Sequence, residues 1–190
     1  GAGFPPAVEG GSLTTPDVIT LHRQLRALAD AGATHVAMEV SSHALEQGRV
    51  DDVAFRVAVF TNLTRDHLDY HGTMEAYWAA KRQLFGWPGL RAAVINLDDQ
   101  RGAALATELQ GSALDVWTYS AFEDARLRAT QLGYVDGGLA FDLHEGESIV
   151  PVRSTLIGDY NASNLLAVVG GLRALGVSLA DAASVVPQLT

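Results

Sequence analysis

Short apolar runs alternate with helical patterns along the first two thirds of the chain. Runs rich in β-branched residues predict strands at 34–40, 56–61, 92–97 and 114–119, the first two buried on both faces. Apolar residues spaced three and four apart predict helices between Thr15 and Gly32, at 73–85 and at about 98–109. A strand followed by a helix, repeated, is typical of a parallel sheet covered by helices.

The pattern changes after Ser120. Residues 125–153 alternate between apolar and polar types and carry the turn dipeptides Asp136-Gly137 and Glu145-Gly146, so antiparallel hairpins are predicted. Helices are predicted at 161–176 and at 178–186. The predicted fold class is therefore α/β, a largely parallel sheet with flanking helices plus a small antiparallel β insertion at about 121–155.

The sequence also predicts an N-terminal loop and the limits of two helices. The Gly- and Pro-rich residues 1–11 predict a loop. Thr15 is the predicted N-cap of the first helix, with Pro16 in its first turn and Gly32 as its stop. Ser178 is the predicted start of the last helix.

Lys81 interrupts the apolar stripe of the helix at 73–85. It follows Met74 by seven residues and precedes Leu84 by three, so the spacing predicts that it faces the core. The chain has twelve arginines and this single lysine, and only a lysine amine can lose its proton when buried and act as a nucleophile. Two interpretations remain open: an ammonium that reaches outward to bind phosphate, or a neutral amine that adds carbon dioxide to form an anionic carbamate.

Polar residues gather after the first two predicted strands. Glu39 ends the first, and the second is followed by a group of nitrogen and oxygen donors, Asn62, Asp66, His67, Asp69 and His71. Ligands collect at the carboxyl ends of parallel strands, and such donors suit Mg²⁺ held together with phosphate oxygens. Glu39 could instead cap the next helix or pair with Arg65. A zinc site on His67 and His71 is disfavoured, because no general-base Glu lies between them and Gly72 indicates a loop.

Composition removes several classes of function. The chain of 190 residues contains no cysteine, which excludes disulfides and thiolate metal sites. A net charge of -9 argues against a nucleic-acid backbone as partner. With neither a signal-peptide pattern nor an apolar run long enough to span a bilayer, a soluble cytoplasmic protein is expected.

Several motifs resemble the central domain of the Mur ligases. They are "TTPD" (14–17), "MEVSSHALEQGRV" (38–50), "FTNLTRDHLDYHGTMEAYWAAK" (60–81), "INLDD" (95–99) and "GDYNASNLLAV" (158–168). The similarity is greatest to the members that add the third residue of the peptidoglycan stem peptide. The resemblance implies that ATP phosphorylates UDP-MurNAc-L-Ala-D-Glu to an acyl phosphate, which the amine of meso-diaminopimelate or L-lysine then attacks, with Mg²⁺ required.

The resemblance also implies roles for individual residues. Lys81 resembles the carbamylated lysine of the family, and Glu39 and His67 resemble its magnesium ligands, so Lys81 and His67 are the predicted catalytic residues. The predicted contacts to the UDP-MurNAc-dipeptide are Thr14, Thr15, Ser41, Gln47 and Arg49. Asn161 and Asn164, three apart on one helix face, resemble the pair that reads the adenine of ATP.

The chain departs from the family at two places. No Gly-Lys-Thr phosphate loop is present, since the only lysine is Lys81, and Leu13 stands where the resemblance implies an asparagine. Residues 1–190 are therefore expected to be a central-domain fragment that follows the phosphate loop, precedes the C-terminal domain and does not turn over by itself.

Three rival functions stay open. The first is a noncatalytic Mur-like module that binds a nucleotide sugar, and the second is a ligase similar to folylpolyglutamate synthetase. The third is a metal-dependent hydrolase built on "DHLDYH" (66–71).

Overall fold

Two groups of secondary-structure elements make up the chain in the computed structural model, which describes residues 2–4, 7–9 and 13–189. The first unit comprises residues 1–54 and 65–88, and the second comprises residues 55–64 and 89–190. The units are interleaved, because residues 55–64 leave the first unit to supply a strand to the second.

The first unit consists of short elements. Strands β1 (Ala2–Phe4) and β2 (Ala7–Glu9) form an antiparallel pair. The helices are α1 (Val18–Asp30), α2 (Ser42–Glu46), α3 (Leu68–His71) and α4 (Met74–Arg82), the last followed by a 3-10 turn at Gln83–Gly86. Helix α2 packs against α4, and α3 also contacts α4. None of the described helices is long and apolar enough to cross a membrane.

Helix α1 begins two residues later than predicted. Its N-cap is Asp17, whose carboxylate accepts hydrogen bonds from the backbone N–H groups of Ile19 and Thr20 at 3.1 and 3.0 Å. Thr15, the predicted cap, cannot serve because its hydroxyl binds a different segment. The predicted end is confirmed, since the helix stops at Asp30 before Gly32, whose φ is +93°.

Two sequence predictions for the first unit are wrong. Residues 34–40 form no strand: no described strand pairs with them, and Val36 is 47% exposed. A strand requires a ladder of backbone hydrogen bonds with a neighbour, which hydrophobicity does not supply. Strands β1 and β2 lie within the predicted loop at 1–11, of which residues 1, 5, 6, 10 and 11 fall outside the described residues.

The second unit is built on a six-stranded mixed sheet, which confirms the predicted α/β class. Its strands follow one another in chain order: β3 (Val57–Phe60), β4 (Ala92–Asn96), β5 (Asp115–Ser120), β6 (Leu127–Val135), β7 (Gly138–Glu145) and β8 (Ser148–Arg153). The pairs from β3 to β6 are parallel, and β6–β7 and β7–β8 are antiparallel. The predicted hairpins therefore extend the parallel strands in a single sheet.

Helices cover this sheet. They are α5 (Gln100–Glu108), α6 (Tyr160–Ala174) and α7 (Leu179–Ser184), followed by a 3-10 turn at Val186–Gln188. Ser178 caps α7, as predicted. All five residues of β4 are buried, and α6 packs against β4 and β5 through Leu165, Leu166 and Val169. Strand β3 is an edge strand, and its Val59 is 41% exposed, so the prediction that β3 is buried on both faces is wrong.

Gly102 allows α5 to lie close to β4. A Cβ atom at this position would stand 1.9 Å from the carbonyl oxygen of Asn96 and 3.0 Å from Cε1 of Phe60. Real Cβ atoms do not approach backbone oxygens so closely, so any side chain here would push the helix away from the strand.

We expect Gly102→Ala to lower the free energy of unfolding by about 1–3 kcal/mol, because the added methyl group overpacks the contact between α5 and β4. Urea unfolding followed by circular dichroism measures the change. The matched control is Gly171→Ala in α6, where a Cβ meets nothing within 4 Å and should stabilise the helix by up to about 1 kcal/mol. Equal effects at the two positions would contradict the proposed contact.

Candidate functional site

Thr15 joins two motifs that are far apart in sequence. Its side-chain oxygen donates a hydrogen bond to the carbonyl of Glu39 at 2.9 Å and accepts one from the N–H of Ser41 at 3.1 Å. The residue is 1% exposed, so these bonds also satisfy a buried hydroxyl. The "TTPD" loop and the "MEVSSHALEQGRV" segment are thereby held together in the first unit.

Arg49 extends this connection. Its Nη1 donates to the carbonyl of Thr15 at 3.1 Å, while Nε and Nη2 donate to Oε1 of Gln47 at 2.9 and 2.5 Å. Gln47 in turn donates to the hydroxyl of Tyr70 at 2.9 Å. Four of the five predicted dipeptide contacts, namely Thr15, Ser41, Gln47 and Arg49, therefore belong to one hydrogen-bonded network.

Thr14 and Glu39 are placed differently from that network. Thr14 is exposed, as is Leu13 before it. Glu39 is exposed rather than buried at a strand end, because residues 34–40 form no strand. The alternative that Glu39 caps the next helix is also wrong, since Ser41 is the N-cap of α2 and accepts from the N–H of Ala44 at 3.2 Å.

His67 and Lys81 flank the same aromatic ring. The imidazole of His67 meets Tyr77 edge-on, with centroids 5.6 Å apart, and Nζ of Lys81 lies 5.4 Å from the Tyr77 centroid. Lys81 is half-buried, so its side chain is less enclosed than its place in the apolar stripe predicts. Burial raises the pKa of the Tyr77 phenol, and the nearby Asp66 carboxylate raises it further.

The backbone of His67 has an uncommon conformation. Its φ is +55°, in the left-handed region that residues other than glycine seldom adopt. Its N–H donates to Oδ1 of Asp66 at 2.7 Å, and its Nε2 lies 3.7 Å from Oδ2 of the same residue. Residue 67 is the N-cap of α3, so the loop predicted around Gly72 contains a short helix at Leu68–His71.

Sequence reasoning missed a cluster of rings around His43. Its imidazole lies 4.9 Å from that of His67, 5.3 Å from that of His71 and 4.1 Å from the ring of Tyr70, measured between centroids. Burial lowers the pKa of His43, and the adjacent His67 and His71 lower it further. The four-residue spacing of His67 and His71 was a visible signal, but His43 enters the cluster only through the tertiary fold.

The donors of the first unit fit a magnesium ion only in part. Imidazole nitrogen and carboxylate oxygen at His67 and Asp66 are suitable ligand types. Across the described residues, however, no three His, Cys, Asp or Glu side chains converge as a metal site. Both nitrogens of His71 already have partners, Ser42 and Glu46.

The predicted adenine-reading pair lies in the second unit, on the first turns of α6. Nδ2 of Asn164 donates to Oδ1 of Asn161 at 3.2 Å, which confirms that the two amides share one face of the helix. Nδ2 of Asn161 donates to the carbonyl of Ile157 at 2.9 Å. Asn161 is partly exposed and Asn164 is exposed, so both side chains are accessible at the start of the helix.

Asp98 organises the carboxyl ends of β4 and β5. One of its oxygens accepts from the hydroxyl of Ser120, and the other accepts from the N–H of Ala121 at 2.9 Å and from the hydroxyl of Ser163 at 3.2 Å. Because Ser163 lies on α6, this carboxylate ties the helix that carries the asparagine pair to the edge of the sheet. The motif "INLDD" thus has a structural role.

The comparisons with known proteins agree with one another. Residues 4–172 match the Mur ligase middle domain family. The UDP-N-acetylmuramoyl-L-alanyl-D-glutamate--2,6-diaminopimelate ligase of Pseudomonas aeruginosa is 52% identical over 192 residues, which cover 100% of this chain and 39% of that protein. The protein of the same name from Acidovorax sp. (strain JS42) is 51% identical over 182 residues, 96% of this chain and 36% of the relative.

Solved structures are similar in the same way. A ligase described by that same name has a TM-score of 0.86 at 38% identity, over 93% of this chain and 37% of that structure. A pseudomurein peptide ligase type C from Methanothermus fervidus has a TM-score of 0.63 at 14% identity, which shows a shared fold. The chain spans 36–39% of the length of these curated relatives.

The pH dependence of stability tests the buried surroundings of Tyr119, which lies near Asp98 and Asp99. Burial raises the pKa of its phenol, and the charges of Asp98 and Asp99 raise it further, while its hydroxyl donates to the carbonyl of Phe60 at 3.2 Å. As pH rises, the unfolded chain loses this proton first, at about pH 10, so stability that is complete below that pH declines above it.

We expect Tyr119→Phe to make the loss of stability between about pH 8 and about pH 11 smaller than in the parent chain. The phenylalanine cannot titrate, although it also removes a hydrogen bond and lowers stability at both pH values by about 1 kcal/mol. Free energies of urea unfolding at the two pH values give the slope. If the free energy of unfolding fell equally with pH in the variant and the parent, Tyr119 would not have the raised pKa that its burial implies.

Proposed function

The chain belongs to the Mur ligase middle domain family, and from this we propose that it is the central part of an ATP-dependent ligase of peptidoglycan synthesis. The substrate would be UDP-MurNAc-L-Ala-D-Glu and the incoming amino acid 2,6-diaminopimelate. Relatives about half identical to this chain carry those two compounds in their names. The observation that carries the proposal is the network of Thr15, Ser41, Gln47 and Arg49, which joins the motifs that the resemblance assigns to the nucleotide sugar.

The reaction has two steps. The D-glutamyl carboxylate attacks the γ-phosphorus of ATP, and ADP leaves from an acyl phosphate. The amine of the amino acid then attacks the acyl carbon, and the tetrahedral intermediate loses a proton and expels inorganic phosphate. Both steps bring anions together, so their positions must be fixed and their charges balanced.

We assign the nucleotide sugar to the first unit. Arg49 supplies a guanidinium suited to an anionic group, and its bonds to Thr15 and Gln47 hold it in one orientation. Ser41 and Thr14 would contribute hydroxyl groups to the same substrate. Thr14 is exposed and therefore accessible to a ligand, whereas Thr15 is buried and acts through its bonds to Glu39 and Ser41.

Lys81, His67 and Glu39 form the proposed cation site. We infer that the Lys81 amine adds carbon dioxide, forming an N–C bond and releasing one proton, to give a carbamate. Its place near the ring of Tyr77, which His67 also contacts, supports this role. A magnesium ion bound there would neutralise charge on the reacting phosphate and carboxylate groups. Because the described donors do not form a closed site, the ligand set would include oxygens of the substrates.

We assign adenine recognition to Asn161 and Asn164, whose shared helix face supports the assignment. The phosphate loop and the site for the amino acid would lie in other parts of the full-length protein, since the chain spans 36–39% of its relatives. ATP and UDP-sugars are cytoplasmic compounds in bacteria, so we place the enzyme there.

The identity of the Lys81 group can be tested in the full-length protein. We expect both Lys81→Ala and Lys81→Arg to lower the rate of amide formation by at least about a hundredfold, because neither side chain forms a carbamate. Added acetate or formate should partly restore Lys81→Ala, since a small carboxylate occupies the vacated position. Labelling with ¹³C-bicarbonate and NMR should reveal a carbamate signal that both variants lack.

The arginine variant separates the two interpretations of this lysine. An ammonium that binds phosphate would be largely replaced by a guanidinium, so full activity of Lys81→Arg would disprove the carbamate. Arg82→Lys, at the next and exposed position, is the matched control and should leave the rate unchanged.

The substrate assignment predicts the behaviour of the unmodified full-length enzyme. Phosphate release should require UDP-MurNAc-L-Ala-D-Glu and should be much faster with 2,6-diaminopimelate than with L-lysine. Tight binding of the nucleotide sugar without any phosphate release would favour the noncatalytic module instead.

A further inference from the structure

His71 is a buried histidine with no role in the proposed chemistry. Its side chain is 1% exposed, and its two ring nitrogens have different partners. Nε2 lies 2.9 Å from Oγ of Ser42, and Nδ1 lies 3.2 Å from Oε2 of Glu46. The ring also stacks on Tyr77, with centroids 5.2 Å apart and planes inclined by 22°. An imidazole held by two polar contacts and a stacked ring has a single orientation.

The partners determine which atom carries the hydrogen in the neutral ring. Nδ1 faces a carboxylate oxygen of Glu46 at 3.2 Å, and a carboxylate only accepts hydrogen bonds, so we place the ring proton on Nδ1. Nε2 is then an acceptor, and the hydroxyl of Ser42 donates to it. The result is a directed chain from Ser42 through His71 to Glu46, and it satisfies the buried Ser42, which is 2% exposed.

These two partners are the ends of helix α2. Ser42 is the first residue of α2 and Glu46 is the last. The residues just outside the helix are Ser41, its N-cap, and Gln47, its C-cap, both assigned to the nucleotide sugar. One imidazole therefore contacts both ends of the helix on which these substrate contacts are mounted.

The other contacts of His71 lead to the proposed cation site. His71 is the last residue of α3, whose N-cap is His67, and α4 begins shortly afterwards at Met74. Its stacking partner Tyr77 is the ring that His67 and Lys81 flank at 5.6 and 5.4 Å. All of these residues lie in the first unit.

We propose that His71 is a positioning residue that sets the distance between the nucleotide-sugar contacts on α2 and the Lys81 group on α4. The inference rests on the proposed function, because that function supplies the roles of the α2 residues and of Lys81. His71 itself would not contact a substrate. It explains why a polar ring occupies a position that helix packing would fill with an apolar one. Leucine or phenylalanine could pack against Tyr77, but neither could hold Ser42 and Glu46.

The decisive variant is His71→Phe in the full-length enzyme. Phenylalanine keeps a ring against Tyr77 and removes both polar contacts. We expect the KM for the UDP-MurNAc-dipeptide to rise about tenfold, because the loss of the buried bond to Ser42 and of the contact with Glu46 releases both ends of α2. The KM for ATP should change less than about twofold, since the asparagine pair lies in the second unit. A purely structural role would lower the active fraction, and thus kcat, without altering either KM.

A matched control exists in the second unit. His144 Nε2 lies 2.6 Å from the hydroxyl of Thr130, another histidine–hydroxyl pair, on strands β7 and β6. His144→Phe removes the same kind of bond at a position in the other unit. We expect it to leave both KM values unchanged.

If His71→Phe does not fold, Ser42→Ala tests the positioning role of His71 instead. This milder change removes one bond of the directed chain and should raise the KM for the nucleotide sugar about two- to fivefold. The double variant Ser42→Ala/His71→Phe should be no worse than His71→Phe, since both changes break the same bond.

Two outcomes would overturn the inference: an unchanged KM for the nucleotide sugar in folded His71→Phe or Ser42→Ala, or strictly additive effects in the double variant. Failure of the proposed function is a different result. In that case the parent enzyme itself would neither bind the UDP-MurNAc-dipeptide nor release phosphate.

Discussion

The first unit depends on the burial of polar groups that hydrogen bonds must satisfy. Apart from α1 its described helices are short, and it has a small pair of strands and long irregular segments, so apolar packing by itself would leave its loops without a fixed arrangement. The Thr15 hydroxyl, with one donor and one acceptor bond, fixes residues 39–41 against the "TTPD" loop. Loss of the Thr15 hydroxyl would leave the carbonyl of Glu39 and the N–H of Ser41 without this partner, and an unsatisfied buried polar group costs more than its bond contributes.

The second unit, in contrast, is built around a large apolar core. Its core includes the apolar contact of α6 with β4 and β5, and one group of its polar side chains lies at the carboxyl ends of these strands. Asp98 accepts three hydrogen bonds there, and Asp99 caps α5 while accepting from the N–H of Leu63 at 2.8 Å. Under the proposed assignments, this sheet edge would hold the adenine base and the loop-rich first unit would hold the nucleotide sugar.

Much of the second unit could be predicted from the sequence because its elements follow simple periods. The apolar run of β4 and the alternation in residues 125–153 report local burial directly. The first unit was predicted less well. Residues 34–40 are as apolar as a strand, but pairing depends on a neighbour that their own sequence does not encode. Thr15 and Asp17 are both good caps, and only the tertiary contact of Thr15 decides between them.

In the predicted site, too, local motifs were informative and contacts between distant segments were not predicted. Motif resemblance identified four residues that the structure joins by hydrogen bonds, and it identified His67 and Lys81, which share the Tyr77 ring. It could not identify His43 or the partners of His71, because those contacts arise only when separate segments meet. The exposed position of Glu39 likewise follows from the missing strand and not from its neighbours in sequence.

The interleaving of the two units affects the order in which the chain can fold during synthesis. The first unit lacks α3 and α4 until residue 88 has left the ribosome, and β3 must wait for β4, the described strand with which it pairs. Neither unit corresponds to one uninterrupted stretch of gene, so a recombination breakpoint between residues 55 and 88 would separate parts of both. Exchange of either unit between homologues by a single crossover is therefore disfavoured, and the pair is inherited together.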